Sequence, residues 1–134
     1  MLIRYNRCMT SYNTVPPEKL AVYRATAYKH WQQEQAKLAK RKVCAHDVAR
    51  QAAMMLKERF GATCVLLFGS LAHEQWFSAS SDIDLAAWGI QDGDFYRAVA
   101  YLQDLSPEFS IDLISMEHCS PHLRKAILAE GKPL

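Results

Sequence analysis

Residues 64–70 read Cys64-Val65-Leu66-Leu67-Phe68-Gly69-Ser70, an apolar run that ends in a turn. A short continuous apolar run is typical of a strand that is buried on both faces. Glycine lets the backbone turn sharply and lets a ligand approach it closely. If a helix begins at Ser70, its free N–H groups would attract phosphate, although Gly-Ser is also common in turns that bind nothing. The run therefore predicts a central strand, with Gly69 and Ser70 as candidate phosphate-binding residues.

The segment Asp82-Ile83-Asp84-Leu85 places two carboxylates on the next predicted strand. Residues i and i+2 of a strand project from the same face, so Asp82 and Asp84 would lie about 7 Å apart at the backbone. Two like charges repel unless a cation or a proton lies between them, and Mg²⁺ is a cation that prefers oxygen ligands. A strand with one face in solvent would show the same alternation. The pair is therefore either a metal site or simply the solvent-facing side of a strand.

A similar pattern recurs in Ser110-Ile111-Asp112-Leu113, after one predicted helix. If the two strands are neighbours, Asp112 shares a face with Asp82 and Asp84. Three carboxylates around a phosphate-accepting turn match the needs of phosphoryl or nucleotidyl transfer assisted by two metal ions. The recurrence favours the functional interpretation of all three carboxylates over the solvent-facing one.

The remaining periodicities predict an α/β (α+β) domain behind a helical extension. Residues 1–45 form the extension, with a helix over about 18–41, and residues 46–134 form the domain. Within the domain we expect helices, in chain order, over about 46–60, 95–105 and 121–130. We expect its strands over about 64–68, 82–88 and 109–114.

Composition excludes several classes of protein. The chain has 134 residues, of which 50% are hydrophobic and 22% charged, so it is an ordinary globular sequence. It contains no apolar run of the roughly 20 residues that cross a bilayer, and its first residues lack the apolar stretch that is typical of a signal peptide. We therefore expect a cytoplasmic protein without membrane contact. The cysteines are far apart and predict reduced thiols rather than a zinc site or a disulfide framework; they are Cys8, Cys44, Cys64 and Cys119.

Charge is divided unevenly along the chain. Residues 1–60 carry a net charge of +8 and residues 61–134 a net charge of −6. A basic region is either simply solvated or meets an acidic partner or RNA. The helix over about 18–41 has one apolar stripe, which favours packing against a protein, so direct nucleic-acid binding is not expected.

Together these segments resemble the minimal nucleotidyltransferase family of the polymerase-β-type superfamily. The resemblance lies in Leu67-Phe68-Gly69-Ser70, in Asp82-Ile83-Asp84-Leu85 after eleven intervening residues, and in Ile111-Asp112-Leu113. The final segment, residues 121–134, is similar to that family's last helix, whereas residues 1–45 lie outside the resemblance. The resemblance implies a nucleotidyltransferase fold, which is a small mixed β-sheet flanked by helices.

The resemblance also implies an activity, cofactors and a partner. Members of this family often act as antitoxins against an all-helical ribonuclease toxin of the HEPN type, and the implied reaction moves AMP from ATP to a toxin tyrosine with Mg²⁺. Gly69 and Ser70 would then hold the triphosphate, and Asp82 and Asp84 would bind the metal ions. Asp112 would bind the catalytic metal and help to deprotonate the acceptor hydroxyl.

One departure and several alternatives follow from the same residues. Leu71 stands where the family often has arginine after Gly-Ser, which leaves His73, Arg124 and Lys125 as candidate cations for the phosphates. A non-catalytic antitoxin would instead neutralise its toxin by binding and occlusion. A small-molecule nucleotidyltransferase or an RNA-binding protein are further alternatives. Transfer of AMP to a partner protein would distinguish an adenylyltransferase from a non-catalytic antitoxin. A salt-dependent affinity for RNA would identify an RNA-binding protein.

Overall fold

The structure, a computed structural model, describes residues 16–73 and 76–134. Within these residues the chain forms three α-helices, four strands and one turn of 3-10 helix. The helices are α1 (Pro17–Arg59), α2 (Asp92–Gln103) and α3 (Pro121–Glu130), and the strands are β1 (Cys64–Phe68), β2 (Ile83–Trp88), β3 (Ile111–Ser115) and β4 (Lys132–Pro133). None of these helices combines the length and the apolar character that crossing a membrane requires.

The helix α1 is continuous, so the prediction of two separate helices over residues 18–60 is wrong. It runs for 43 residues, and no glycine or proline interrupts the sequence between Pro17 and Gly61. The segment that was expected to separate the two helices, residues 42–45, contains neither glycine nor proline, and its Lys42 and Ala45 are good helix formers. The predicted stop at Gly61 is confirmed, since Gly61 has φ +72 and the Ala62 amide donates to the Leu56 carbonyl over 3.0 Å.

The chain divides into two units, Met1–Lys37 and Leu38–Leu134. In the first unit, every described residue is exposed. In the second unit, α1 supplies a row of buried residues at helical spacing, namely Ala45, Ala49, Ala52, Ala53 and Leu56. The predicted domain boundary between residues 45 and 46 falls inside α1 and stays a prediction.

The four strands form one mixed sheet in the order β3-β2-β1-β4. β1 pairs antiparallel with β2 and with β4, whereas β2 and β3 are parallel. A parallel pair needs a crossover connection, and α2 supplies it. The small mixed sheet and its flanking helices are the predicted fold, which is therefore confirmed.

Both faces of the sheet are covered by apolar side chains. On one face, residues such as Leu67 and Leu85 join the cluster that includes Leu56 of α1 and Leu102 of α2. On the other face, a smaller cluster holds Leu66, Ala86, Met116 and Ile127, the last from α3. Asp82 and Asp84 have the same parity as Ala86 in the alternation along β2. They therefore project from the face that α3 covers.

The C-terminal segment contains one predicted and one unpredicted element. α3 begins as expected at Ser120-Pro121, where the Ser120 hydroxyl accepts a hydrogen bond from the Leu123 amide over 3.2 Å. The strand β4 was not predicted. Its two residues are too few to show a periodicity, and β4 is identified only by its pairing with Leu66 and Leu67.

Candidate active site

The turn after β1 brings the backbone at Gly69 against a carboxylate. Gly69 has φ +74, and an ideal Cβ at this position would lie 2.2 Å from Oδ2 of Asp84. Both the conformation and the close approach therefore require glycine. The turn continues as 3-10 helix over Gly69–Leu71.

Asp84 lies at the centre of the site because of its register in the sheet. It pairs with Phe68 on one side, immediately before the turn, and with Asp112 on the other side. Paired positions on adjacent strands are about 5 Å apart, and their side chains project from the same face. The predicted neighbourhood of Asp84 and Asp112 is therefore present, and it results from the parallel pairing of β2 with β3.

The environment of Asp84 disfavours its negative charge. The pKa of Asp84 is raised from 3.8 to about 6. Burial is the largest cause, followed by the charges of Asp112 and Asp82 and by hydrogen bonding to Asp112. A hydrogen bond between two carboxyl groups requires one shared proton, which reduces their mutual repulsion. A bound cation would reduce the same repulsion, so the pair has the electrostatic character of a cation site.

Asp82 is the first of the three carboxylates along the chain. It is exposed and directly precedes β2, and its charge is one of the causes that raise the pKa of Asp84. The preceding turn is closed by the Ser78 amide, which donates to the Ser81 hydroxyl over 2.9 Å, and by the Ser81 amide, which donates to the Ser78 carbonyl over 3.2 Å. Asp82 thus follows an ordered turn rather than a long loop.

The three carboxylates fit a hard cation in their chemistry but do not form a complete metal cage. Among residues 16–73 and 76–134, no three His, Cys, Asp or Glu side chains are gathered closely enough to hold a metal ion. Mg²⁺ usually takes only one or two protein carboxylates and completes its octahedron with water and substrate phosphates. The residues present therefore suit Mg²⁺ that arrives together with a phosphate-bearing substrate.

Of the three cations predicted as candidates to contact phosphate, His73 is joined to the turn. Its amide donates to the Gly69 carbonyl over 3.2 Å, and its Nε2 lies 3.1 Å from a carboxylate oxygen of Glu130. The guanidinium of Arg124 donates to the Met116 carbonyl over 2.5 Å. Lys125 is exposed on α3. Because its amide is hydrogen-bonded to Gly69, His73 is the candidate cation whose position depends on the conformation of the turn.

Sequence reasoning missed Arg41, which was assigned to the extension. Its guanidinium lies 4.4 Å from the centre of the Phe109 ring, and its Nη2 donates to the Ser81 carbonyl over 3.4 Å. The signal was present in the sequence, since Arg41 precedes the buried residues Ala45 and Ala49 by four and eight positions. That spacing places all three on one side of the helix.

Comparison with known proteins agrees with this geometry. The model of the family described as "Polymerase beta, Nucleotidyltransferase" matches residues 50–134. Comparison with curated protein sequences gives no match. A solved protein described as a minimal nucleotidyltransferase is 32% identical over 64% of this chain and 89% of that chain, with a TM-score of 0.51.

Two solved toxin–antitoxin complexes share the fold at lower identity. A mutant form of the complex MntA–HpeT is 20% identical over 64% of this chain and 70% of that chain, with a TM-score of 0.54. A toxin–antitoxin with AMP-PNP is 19% identical over 62% of this chain and 69% of that chain, with a TM-score of 0.51. The family match includes the whole sheet and the five predicted site residues, and it shows that this chain belongs to the polymerase beta nucleotidyltransferase family.

Proposed function

We propose that this protein is the antitoxin of a toxin–antitoxin pair and transfers AMP from ATP to a tyrosine hydroxyl of a partner HEPN ribonuclease toxin. The transfer would inactivate the toxin and would depend on Mg²⁺. Membership of the nucleotidyltransferase family supports the reaction class, and the fold is shared with toxin–antitoxin complexes, one of them with AMP-PNP. The observation that carries the proposal is the register pairing of Asp84 with Asp112 on adjacent strands, with Asp84 against the Gly69 turn.

The proposed reaction is a direct in-line displacement at the α-phosphorus of ATP. The tyrosine oxygen forms a bond to that phosphorus while the bond from the α-phosphorus to the bridging oxygen breaks. Pyrophosphate leaves with the electron pair. The hydroxyl proton passes to the Asp112 carboxylate, which acts as the general base. No covalent intermediate on this chain is needed.

Each predicted site residue receives a role in this proposal. Asp82, Asp84 and Asp112 would hold Mg²⁺, which when bound stabilises the negative charge that develops on the phosphate oxygens. Gly69 and Ser70 would hold the triphosphate with the backbone of the turn. Gly69 also keeps the space beside Asp84 open, because any side chain there would meet the carboxylate.

The proposal is tested by intact-mass spectrometry of the partner toxin after incubation with this protein, ATP and Mg²⁺. We expect the toxin to gain the mass of one or more AMP groups. The variant Asp82→Asn/Asp84→Asn should fold, since the change is nearly isosteric and removes repulsion, but it should transfer no AMP because amides bind Mg²⁺ poorly. Asp104→Asn is the matched control, because Asp104 is exposed at the end of α2 and outside the site.

Two results would contradict the proposal in different ways. Transfer that persists in the double asparagine variant would show that these residues are not the metal site. No mass gain with the native protein, together with tight binding of the toxin, would identify an antitoxin that acts by occlusion.

A further inference from the structure

Arg41 reaches the candidate site from a helix that the site motifs do not include. It is part-buried on α1, and its Nε is buried without a hydrogen-bond partner among the described residues. Buried polar atoms are normally paired, so burying the unpaired Nε of Arg41 costs free energy. This cost indicates that the remaining contacts of Arg41 matter to the protein.

Those contacts join two separate segments of the chain. The guanidinium lies 4.4 Å from the ring centre of Phe109 and 6.0 Å from that of Phe77, and both rings are buried. Its Nη2 donates to the Ser81 carbonyl over 3.4 Å. A planar cation can stack on an aromatic face and donate from its edge at the same time, which lysine cannot do.

Both segments lead directly into the strands that carry the carboxylates. Ser81 is the residue immediately before Asp82, and Phe109 is three residues before Asp112. The two strand starts are also joined to each other, since the Ile83 amide donates to the Ser110 carbonyl over 3.0 Å. A side chain that contacts both segments therefore limits how far the start of β2 can move relative to the start of β3.

We propose that Arg41 is a positioning residue that fixes the start of β2 against the start of β3, and so sets the distance of Asp82 from the pair formed by Asp84 and Asp112. Its effect on catalysis rests on the proposed nucleotidyl transfer. Arg41 contacts neither nucleotide nor metal in this proposal; it acts through the backbone at Ser81 and the ring of Phe109. Small displacements of metal-binding carboxylates reduce transfer strongly, because the geometry of the reacting groups is what the site supplies.

The test compares Arg41→Met and Arg41→Lys with Arg50→Met in the full chain. Arg50 lies on the same helix but is exposed and pairs locally with Asp47 over 3.1 Å. The first measurement is hydrogen exchange of individual amides by NMR, which needs no ATP, metal or partner. We expect Arg41→Met to speed exchange at Ile83 about tenfold and to leave the middle of β2 (residues 85–87) within about twofold, because only the strand start is released. Arg41→Lys should resemble Arg41→Met, and Arg50→Met should match the native protein.

The second measurement is the Mg²⁺ concentration that gives half-maximal AMP transfer to the toxin. We expect it to rise about tenfold in both Arg41 variants, since a displaced Asp82 binds the metal less well, and to stay unchanged in Arg50→Met. A purely structural role would lower the melting temperature without changing this concentration.

Three outcomes would overturn the inference. One is unchanged exchange at Ile83 in Arg41→Met. Another is faster exchange at Ile83 and across residues 85–87 to the same extent, which would mean a general loss of stability. The third is failure of both Arg41 variants to fold, which would make Arg41 a requirement of the fold itself. If the native protein transfers no AMP, the proposed function fails, and the exchange at Ile83 still decides whether Arg41 holds the strand starts.

Discussion

Gly69 is the single residue at which fold and chemistry constrain each other most closely. Its φ of +74 and the 2.2 Å approach of Asp84 Oδ2 to an ideal Cβ predict that Gly69→Ala acts in two ways. The left-handed conformation alone costs an alanine about 1–2 kcal/mol. The methyl group also forces the Asp84 carboxylate away from the turn. We expect a loss of stability in urea unfolding and a loss of AMP transfer well beyond what the unfolding explains.

Two other glycines provide matched controls for that variant. Gly61 has φ +72 but no atom within 4 Å of an ideal Cβ, and Gly93 has neither a positive φ nor a close neighbour. Gly61→Ala should lose about 1 kcal/mol of stability and keep its activity, because only the backbone is strained. Gly93→Ala, in the first turn of α2, should be neutral or slightly stabilising. Full activity in Gly69→Ala would contradict the role of this turn.

Asp84 predicts an unusual dependence of stability on pH. Its pKa is raised from 3.8 to about 6 in the folded protein, so between these values the folded state binds more protons than the unfolded state. The free energy of unfolding therefore falls as pH rises from about 4 to about 6. Asp84→Asn should remove this fall and stabilise the protein at pH 7 by on the order of 1 kcal/mol, after allowance for the solvent that screens this half-buried group.

The measurement is urea unfolding at pH 4, 5, 6 and 7, with Asp104→Asn as the surface control. The native protein and Asp104→Asn should show the same contribution from Asp84, and Asp84→Asn should lack it. Identical pH profiles for all three proteins would mean that the carboxylates do not repel each other as described.

Among the elements, α1 is the one whose two ends differ most. Its part in the first unit carries exposed aromatic side chains, including Tyr23, Tyr28 and Trp31, and the Tyr28 and Trp31 rings stack at 5.9 Å. Its later part has one buried face, which begins at Ala45. We propose that residues 16–37 are an interaction element for the partner, since exposed apolar groups at this density are typical of binding surfaces.

Removal of residues 1–37 tests this role of the extension. The remaining chain should fold with nearly the native melting temperature, because every described residue of the deleted part is exposed, and it should bind the toxin at least about tenfold more weakly. Full-length Tyr23→Ser/Trp31→Ser is the companion variant, which should weaken binding without changing stability. Unchanged toxin affinity in both proteins would contradict the proposal.

Elements with a strong local pattern were predictable from sequence. The apolar run of β1 was predicted at its observed residues, and β2 and β3 within two residues, because each has an alternating or continuous apolar pattern between clear turns. The motif residues on these strands could be placed together once the strands were assumed to be neighbours. From the sequence, Asp112 could be placed beside Asp84 only on the assumption that their strands are neighbours. The parallel pairing of Asp84 with Asp112 shows that they are.

Features that depend on contacts far apart in the chain were not predictable. The pairing of β4 with Leu66 and Leu67 is visible only in the sheet. Arg41 was assigned to the helical extension because its partners Ser81 and Phe109 are distant in sequence. The break expected in α1 followed a change in the apolar pattern, whereas helix propensity with no glycine or proline kept the backbone continuous.

At the scale of the whole molecule, the site lies in the acidic part of the chain. Residues 61–134 carry a net charge of −6, which disfavours the approach of a highly charged nucleotide. We therefore predict that ATP binds much more weakly without a divalent cation. Removal of Mg²⁺ with EDTA at constant ionic strength should lower ATP affinity, measured by calorimetry, at least about tenfold. Equal affinity with and without Mg²⁺ would mean that the carboxylates do not face the phosphates.

The proposed reaction would also assign a task to each of two proteins. This chain would supply the turn, the carboxylates and the bound nucleotide, and the partner would supply the acceptor hydroxyl. Transfer should then depend on complex formation. A variant whose extension binds the toxin more weakly should therefore need more toxin but reach the same extent of modification. This separates docking from chemistry within one assay.

The central claim is that the adenylyl group, and no other part of ATP, is transferred to the toxin. It is tested most directly by incubating both proteins and Mg²⁺ with ATP labelled at either the α- or the γ-phosphate. We predict that label from the α-phosphate becomes covalently attached to the toxin and that label from the γ-phosphate is released in pyrophosphate. Label from the γ-phosphate on the toxin, or no label from either position, would contradict it.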